Sequence, residues 1–245
     1  MTMTSKAVAK NEVRAEIKLR DIGIMALERE LLLGRNELQH IALSGGDVQL
    51  RTAVLAAADA DTVFTQLMNE LAWRQDQIMI HGRVLSIPRL QAWYGEPHCI
   101  YTYSGTTLAP KPMPPLLQGL ASLSARISGA AFNCVLCNLY RDGEDSMGWH
   151  ADNEPELGPE PAIASWSFGA IRRFHMKPIS RAGQSSELLP ADHRIRLDLP
   201  HNSLLIMRGS TQQNWQHRIS KSRRVDTARI NLTFRYIGEA DAGSA

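Results

Sequence analysis

From Phe132 to the C-terminus the chain breaks into short runs of β-forming residues closed by Gly, Pro, Asn or Asp, and this punctuation most constrains the fold. The runs are residues 134–140, 162–169, 172–178, 194–199, 203–208 and 228–237. Helical patterns stand ahead of them. Helices first and then a series of antiparallel-looking strands argue for an α+β domain. Its core is expected to be a sandwich or jelly roll, with flanking helices and an N-terminal helical extension.

The N-terminal part supports that division. Residues 11–40 are rich in Glu, Lys and Arg, with Ile17, Ile24, Leu27, Leu31 and Leu38 at near-helical intervals. Ser44, Gly45, Gly46 and Asp47 interrupt the pattern, so residues 1–45 are read as an extension and 46–240 as the domain. Within the domain, 48–55 reads as a first strand. Residues 61–72 place Val63, Phe64, Leu67, Met68 and Leu71 on one helical face. Residues 73–82 and 83–88 read as a strand pair turning near Gly82. A proline-rich connector at 109–115 then leads into a helix over 116–128.

Composition excludes several classes. A chain of 245 residues, 44% hydrophobic and 21% charged, can bury a real core. No run approaches the ~18 apolar residues of a membrane span. Glu12 and Glu16 argue against a transit peptide, so a cytoplasmic protein with no membrane partner is expected, most simply a monomer. Three cysteines make no disulfide framework, and Cys134 and Cys137 read as small core residues of a buried strand. The net charge of +2 hides an asymmetry: residues 171–235 hold 13 Lys and Arg against 4 Asp and Glu. Such a block is either a solvated basic face or a surface for a polyanion.

The same block holds the chemistry. His150 and Asp152 lie two apart, which on a strand would point both to one side of the sheet. With the distant His217 they can occupy one face of an octahedral metal, leaving three positions open, as in non-haem Fe(II) oxygenases. An isolated pair of this kind is weak evidence, since two polar residues in a surface turn look the same. The strand twelve residues further on says more. Alternation puts Arg229, Asn231, Thr233 and Arg235 on one face and Ile230, Leu232, Phe234 and Tyr236 on the other. An exposed edge strand would show this pattern; so would a strand whose polar face lines a cavity. In the second case two guanidiniums and two short polar groups can bind a dicarboxylic acid. Asn138 and Tyr140 add an amide and a phenol on one face of an earlier strand.

At these positions the chain resembles the AlkB family of Fe(II)- and 2-oxoglutarate-dependent nucleic-acid dioxygenases, most of all its subgroup acting on duplex DNA. The resemblance spans about residues 48–237 and rests on Pro88-Arg89, Trp93-Tyr94-Gly95, residues 101–105, Asn138-Leu139-Tyr140, residues 150–154, 163–169, Arg173-Phe174, His217 and 229–235. It implies that the core is a double-stranded β-helix (jelly roll), that His150, Asp152 and His217 bind Fe(II), and that Asn138, Tyr140, Arg229, Asn231, Thr233 and Arg235 contact 2-oxoglutarate. By the same likeness Phe174 would stack on a flipped-out methylated base, with His150 on the other side, and Glu154 would accept a hydrogen bond from the base's exocyclic amine. Tyr101, Tyr103, Ser104 and Arg89 would belong to a nucleotide-recognition lid over about 73–108. The implied reaction uses O2 and 2-oxoglutarate to demethylate 1-methyladenine and 3-methylcytosine in DNA, releasing formaldehyde. RNA or a protein side chain is the alternative substrate, and a metal-free module that recognises methylated bases is the reading from another class. One departure stands out. Where the duplex-specific members carry an aromatic wedge before Gly-Lys, this chain has His81-Gly82-Arg83, and an imidazole is a poorer wedge.

Overall fold

The computed structural model describes residues 38–80, 82–103, 106–179 and 194–238. In chain order its strands are β1 (Gln39–Ile41), β2 (Asp47–Thr52), β3 (Gln77–Ile80), β4 (Arg83–Ser86), β5 (Leu90–Gly95), β6 (Tyr101–Tyr103), β7 (Thr106–Leu108), β8 (Cys134–Tyr140), β9 (Met147–His150), β10 (Ile163–Gly169), β11 (Arg172–Pro178), β12 (Ile195–Leu199), β13 (Ser203–Arg208), β14 (Trp215–Ile219) and β15 (Arg229–Arg235). Helix α1 (Ala57–Glu70) precedes β3, helix α2 (Pro115–Ser128) precedes β8, and one helical turn, α3 (Thr211–Asn214), precedes β14.

All ladders are antiparallel. A seven-stranded sheet runs β1-β2-β13-β10-β15-β8-β5 and a four-stranded sheet β12-β11-β14-β9, with β3-β4 and β6-β7 as separate hairpins. This is the jelly-roll pairing of two sheets expected from the strand punctuation, with helices added.

Side-chain alternation explains how the layers stack. On β15, Ile230, Leu232 and Phe234 pack with Trp166, Phe168, Val135, Leu139 and the helix residues Val63, Leu67, Leu117 and Leu120 in one core. The alternate residues of the same strands face the four-stranded sheet, where Leu205, Met207, Phe174, Met176, Trp215 and Ile219 form a second core. The large sheet is therefore buried on both faces, by helices outside and by the small sheet inside. Ser124 of α2 accepts a hydrogen bond from Trp166 Nε1 at 2.8 Å, tying helix to sheet. Pro115 opens α2 where its missing N–H costs nothing, and Gly129 at φ 72° closes it.

Several boundaries differ from the sequence reading. The stretch read as helix up to residue 40 ends in a strand, because Gln39, His40 and Ile41 pair with β2 across the Gly45 turn; residues 1–37 lie outside the described residues. The first core strand stops at Thr52, where Ala53 turns to φ 51°, rather than at 55. Helix α1 begins earlier than residue 61, at Ala57. The hairpin β3-β4 turns near Gly82 as expected, with Gly82 at φ 75°. Strands β5 and β9 carry little alternation of their own, and only the assembled sheets reveal them.

Candidate metal and co-substrate site

His150 and His217 meet through strand pairing. They are direct partners across β9 and β14, and the register shifts between His217 and Ile219, whose partner is Met147. Three steps on β9 thus oppose two on β14, a β-bulge that turns both Met147 and His150 inward. Asp152 is not on the strand, contrary to the paired-strand expectation. It lies past the end of β9, and its backbone N–H donates to Gln212 Oε1 at 3.0 Å, which fixes the turn. The candidate ligand atoms of His150, Asp152 and His217 all lie within 4.8 Å of one another.

Each donor is prepared for a cation. His150 Nδ1 lies 2.9 Å from the Gly148 carbonyl, so it carries the proton and Nε2 keeps its lone pair. His217 is buried; its Nδ1 has no hydrogen-bond partner and its Nε2 faces Asp152 Oδ2 at 3.9 Å. Burial, with the charges of His150 and Arg235, pushes the His217 imidazole down to about 3 against the attraction of Asp152. The His150 imidazole is also held below its ordinary value, first by burial. Burial works against ionising Asp152, but Arg235, His217 and His150 outweigh it and bring its carboxyl down to about 2. Two neutral imidazoles and one carboxylate at neutral pH are the protonation states that a divalent metal needs. The donor set fits Fe(II).

Behind the triad is a cavity of about 470 Å³ including its open mouth. Arg229, Asn231, Thr233 and Arg235 of β15 line it together with Asn138 and Tyr140 of β8. The polar face of β15 therefore points inward, and the edge-strand reading fails: β15 sits between β10 and β8. Arg235 Nη2 donates to Asp152 Oδ1 at 2.6 Å, with both side chains about 3% exposed. Asn231 Nδ2 donates to Ser165 Oγ and to the Trp166 carbonyl, both at 2.9 Å, and its Oδ1 accepts from Thr233 at 3.1 Å. Arg89 Nε donates to Asn138 Oδ1 at 2.8 Å, which orients that amide with its N–H groups toward the remaining space.

Arg229 is under-satisfied. Nη2 donates to Ser167 Oγ at 2.8 Å, whereas no acceptor stands against Nε and Nη1. The guanidinium is 1% exposed and lies 5.3 Å over the Tyr140 ring, which also faces Arg172 at 5.6 Å. Burial above all, with the charge of Arg172, pushes Arg229 down to about 10. A buried cation with idle donors at the inner end of a cavity calls for an anionic ligand. With the triad at the other end, a dicarboxylate that chelates metal through one end fits the shape of the charge.

The remaining predicted residues are placed unevenly. Phe174 lines the cavity, but one face of its ring is covered by His217, with centroids 5.1 Å apart and planes 24° apart. Glu154 stands half-buried at the head of the 3-10 turn Pro155–Leu157. Arg89 is buried against Asn138 rather than displayed on a lid. Tyr101 and Tyr103 are on β6 of a separate hairpin; Ser104 and His81 lie outside the described residues. Reading the sequence missed Ser165, Ser167 and Gln212. The two serines alternate with Ala164, Trp166 and Phe168, a period-two signal that could have placed them on the cavity face; Gln212, on a short turn, gave none.

Residues 47–235 match the model of the 2OG-Fe(II) oxygenase superfamily. Alpha-ketoglutarate-dependent dioxygenase alkB homolog 3 of Bos taurus is 39% identical over 209 residues, which cover 85% of this chain and 70% of that protein. DNA oxidative demethylase ALKBH2 of Homo sapiens is 39% identical over 202 residues, 81% of this chain and 76% of that protein. Among solved structures, that of OsALKBH1 shares the fold, with a TM-score of 0.52 at 15% identity over 80% of this chain and 99% of that one. A His–Asp–His triad at the mouth of a cavity ending in an unsatisfied arginine, on a chain so matched, belongs to the 2OG-Fe(II) oxygenase superfamily, as an AlkB-type Fe(II)- and 2-oxoglutarate-dependent dioxygenase.

Proposed function

We propose that this dioxygenase removes N-methyl groups from alkylated bases in nucleic acid, with 1-methyladenine and 3-methylcytosine in DNA as its substrates. The observation that carries this reading is the extended identity to demethylases of DNA together with the intact triad and cavity. Fe(II) held by His150, Asp152 and His217 supplies O2 activation coupled to 2-oxoglutarate decarboxylation. Arg229 anchors the far carboxylate of the co-substrate, while Asn138, steadied by Arg89, and Tyr140 orient it. Arg235 keeps Asp152 ionised and pointed at the metal. The hydroxylated N-methyl group then leaves as formaldehyde and the base returns unmodified.

Recognition of the base falls to the rim. Half-buried His150 lines the cavity, and Glu154, two residues past Asp152, is assigned to the base because a carboxylate favours the positive charge of 1-methyladenine and 3-methylcytosine. Phe174 backs His217 and joins the base platform if that stack opens; Tyr101, Tyr103 and Ser104 complete the lid. Flipping costs a few kcal/mol, least for a damaged base that already pairs badly. The hairpin β3-β4 exposes Met79, Val84 and Leu85, and the sequence between its strands has His81 where the duplex-specific members carry an aromatic wedge. That favours a second reading in which single-stranded DNA or RNA is preferred over duplex. Rates on 1-methyladenine in matched single-stranded DNA, duplex DNA and RNA separate the readings: fastest release from duplex would refute the second, and release from none would refute both. A cytoplasmic, monomeric enzyme, with residues 1–45 as an extension of the 46–240 domain, completes the proposal. Fractionation, sedimentation and limited proteolysis test those three points.

A further inference from the structure

The four-stranded sheet has a second face that the catalytic reading leaves unused. Its inner positions carry His217, Phe174 and Met176; the alternate positions lie on the outer side, where Arg218 also contributes to the cavity lining. On β11 and β14 these are Arg173, His175, Lys177, Gln216 and Arg218, and on β12 they are Arg196 and Asp198. The bulge that turns His150 inward turns Trp149 outward onto this face. There its indole lies 4.7 Å from the Lys177 ammonium and 4.5 Å from the Arg218 guanidinium.

Charge on the face is one-sided. Asp198 is the only acid among those outer positions, and it is taken by Arg173 through Nε–Oδ1 at 2.8 Å and Nη2–Oδ2 at 3.1 Å. Lys177, Arg196 and Arg218 form no ion pair among the described residues, and Arg218 Nε has no hydrogen-bond acceptor. His175 in their midst is held below its ordinary value, by burial first and then by the charges of Arg218, Arg196, Arg173 and Arg194. Cations held against an indole lose little side-chain freedom on binding an anion, so Trp149 presets two of them.

Position decides which polyanion. Trp149 adjoins His150 and Arg218 adjoins His217, and β9 is the edge strand of its sheet. A chain that leaves the mouth of the cavity therefore reaches this face by rounding one strand. We propose that the outer face of the four-stranded sheet is a docking surface for the phosphodiester backbone of the nucleic-acid strand flanking the target base, with Lys177, Arg196 and Arg218 as its phosphate contacts. This rests on the demethylase reading for its substrate, and on the basic face for its place.

The test uses the full chain with Mn(II) and 2-oxoglutarate, comparing wild type with Lys177→Glu/Arg196→Glu and with the milder Lys177→Gln/Arg196→Gln. Fluorescence anisotropy measures affinity for a long methylated oligonucleotide as salt rises, and formaldehyde release from a methylated trinucleotide is measured with Fe(II). The Glu pair is expected to weaken long-strand binding by roughly tenfold or more at ~50 mM salt and to flatten the salt slope by about 1.4, the share of two phosphate contacts. The Gln pair should lie between. Release from the trinucleotide, too short to reach the face, should stay within about twofold, since neither residue touches the cavity. Unchanged long-strand affinity and slope would overturn the proposal, as would equal loss on the long strand and the trinucleotide. Equal capture of polyglutamate by wild type would assign the face to acidic protein instead and overturn it too. Salt-dependent binding through these residues with no formaldehyde from any nucleic acid would sustain the docking surface and refute the demethylase reading alone.

Discussion

Replacing Arg229 by Met should make the metal-free protein more stable while abolishing its response to 2-oxoglutarate. The guanidinium sits at about 10, against 12.5 for an ordinary arginine, because burial disfavours its charge. The unfolded chain binds that proton more tightly than the folded one, so the charge opposes folding at every pH below about 10. The gap corresponds to roughly 3 kcal/mol. Two losses offset the relief: the hydrogen bond to Ser167, about 1 kcal/mol, and the contact with the Tyr140 ring, about 0.5–1 kcal/mol. Methionine fills most of the volume without a charge. The net expectation is a gain of about 1–2 kcal/mol for the variant in EDTA. With Mn(II) and 2-oxoglutarate the order reverses. Wild type gains about 2.7 kcal/mol at a hundredfold excess over Kd, and the variant gains nothing from the co-substrate. Urea denaturation followed by tryptophan fluorescence, with and without ligands, reads both effects. A metal-free variant destabilised by more than about 1 kcal/mol, or one that keeps the 2-oxoglutarate shift, would refute the claim that Arg229 waits for an anion.

Three further outcomes are expected. Asp152→Ala should abolish metal-induced stabilisation and also cost about 3–5 kcal/mol in urea, because it strands the buried Arg235 cation; Asp152→Ala folding as stably as wild type would contradict the ion pair. Acid should weaken the metal-free fold. His217 titrates near 3 when folded and 6.5 when unfolded, so stability is full above about 6.5 and falls as pH drops toward 3; Asp152, lowered from 3.8 to about 2, adds a loss across that lower range. Urea midpoints measured from pH 8 to 5 should decline, and His217→Leu should flatten the decline. Gly169→Ala should cost about 2–4 kcal/mol in thermal or urea melts, since Gly169 stands at φ 86° and a Cβ there would run into the Ala228 carbonyl oxygen; a neutral result would contradict that backbone geometry.

What was legible in the chain follows from which elements carry their own signal. Strands Cys134–Tyr140, Arg172–Pro178 and Ser203–Arg208 were readable to the residue, because turn residues bound them on both sides. The inward polar face of β15 was readable as a face, but not as inward: that depends on β10 and β8 flanking it, a non-local fact. The triad was readable from residue type and order. Its geometry was not, since Asp152 owes its place to Gln212, a residue sixty positions away on a short turn. Arg89 shows the same limit. The family resemblance assigned it to the lid, and its side chain braces Asn138 from within. The outer basic face was visible only as a charge surplus over residues 171–235, until strand alternation sorted those cations from the ones that line the cavity.

Formaldehyde release tests the central claim most directly. Oligonucleotides bearing 1-methyladenine would be incubated with Fe(II), 2-oxoglutarate and ascorbate, with succinate and formaldehyde measured together and His217→Ala as control. The account predicts formaldehyde in step with succinate from wild type and neither from the control. Succinate without formaldehyde across single-stranded DNA, duplex DNA and RNA would contradict base demethylation, and formaldehyde from His217→Ala would contradict the metal site itself.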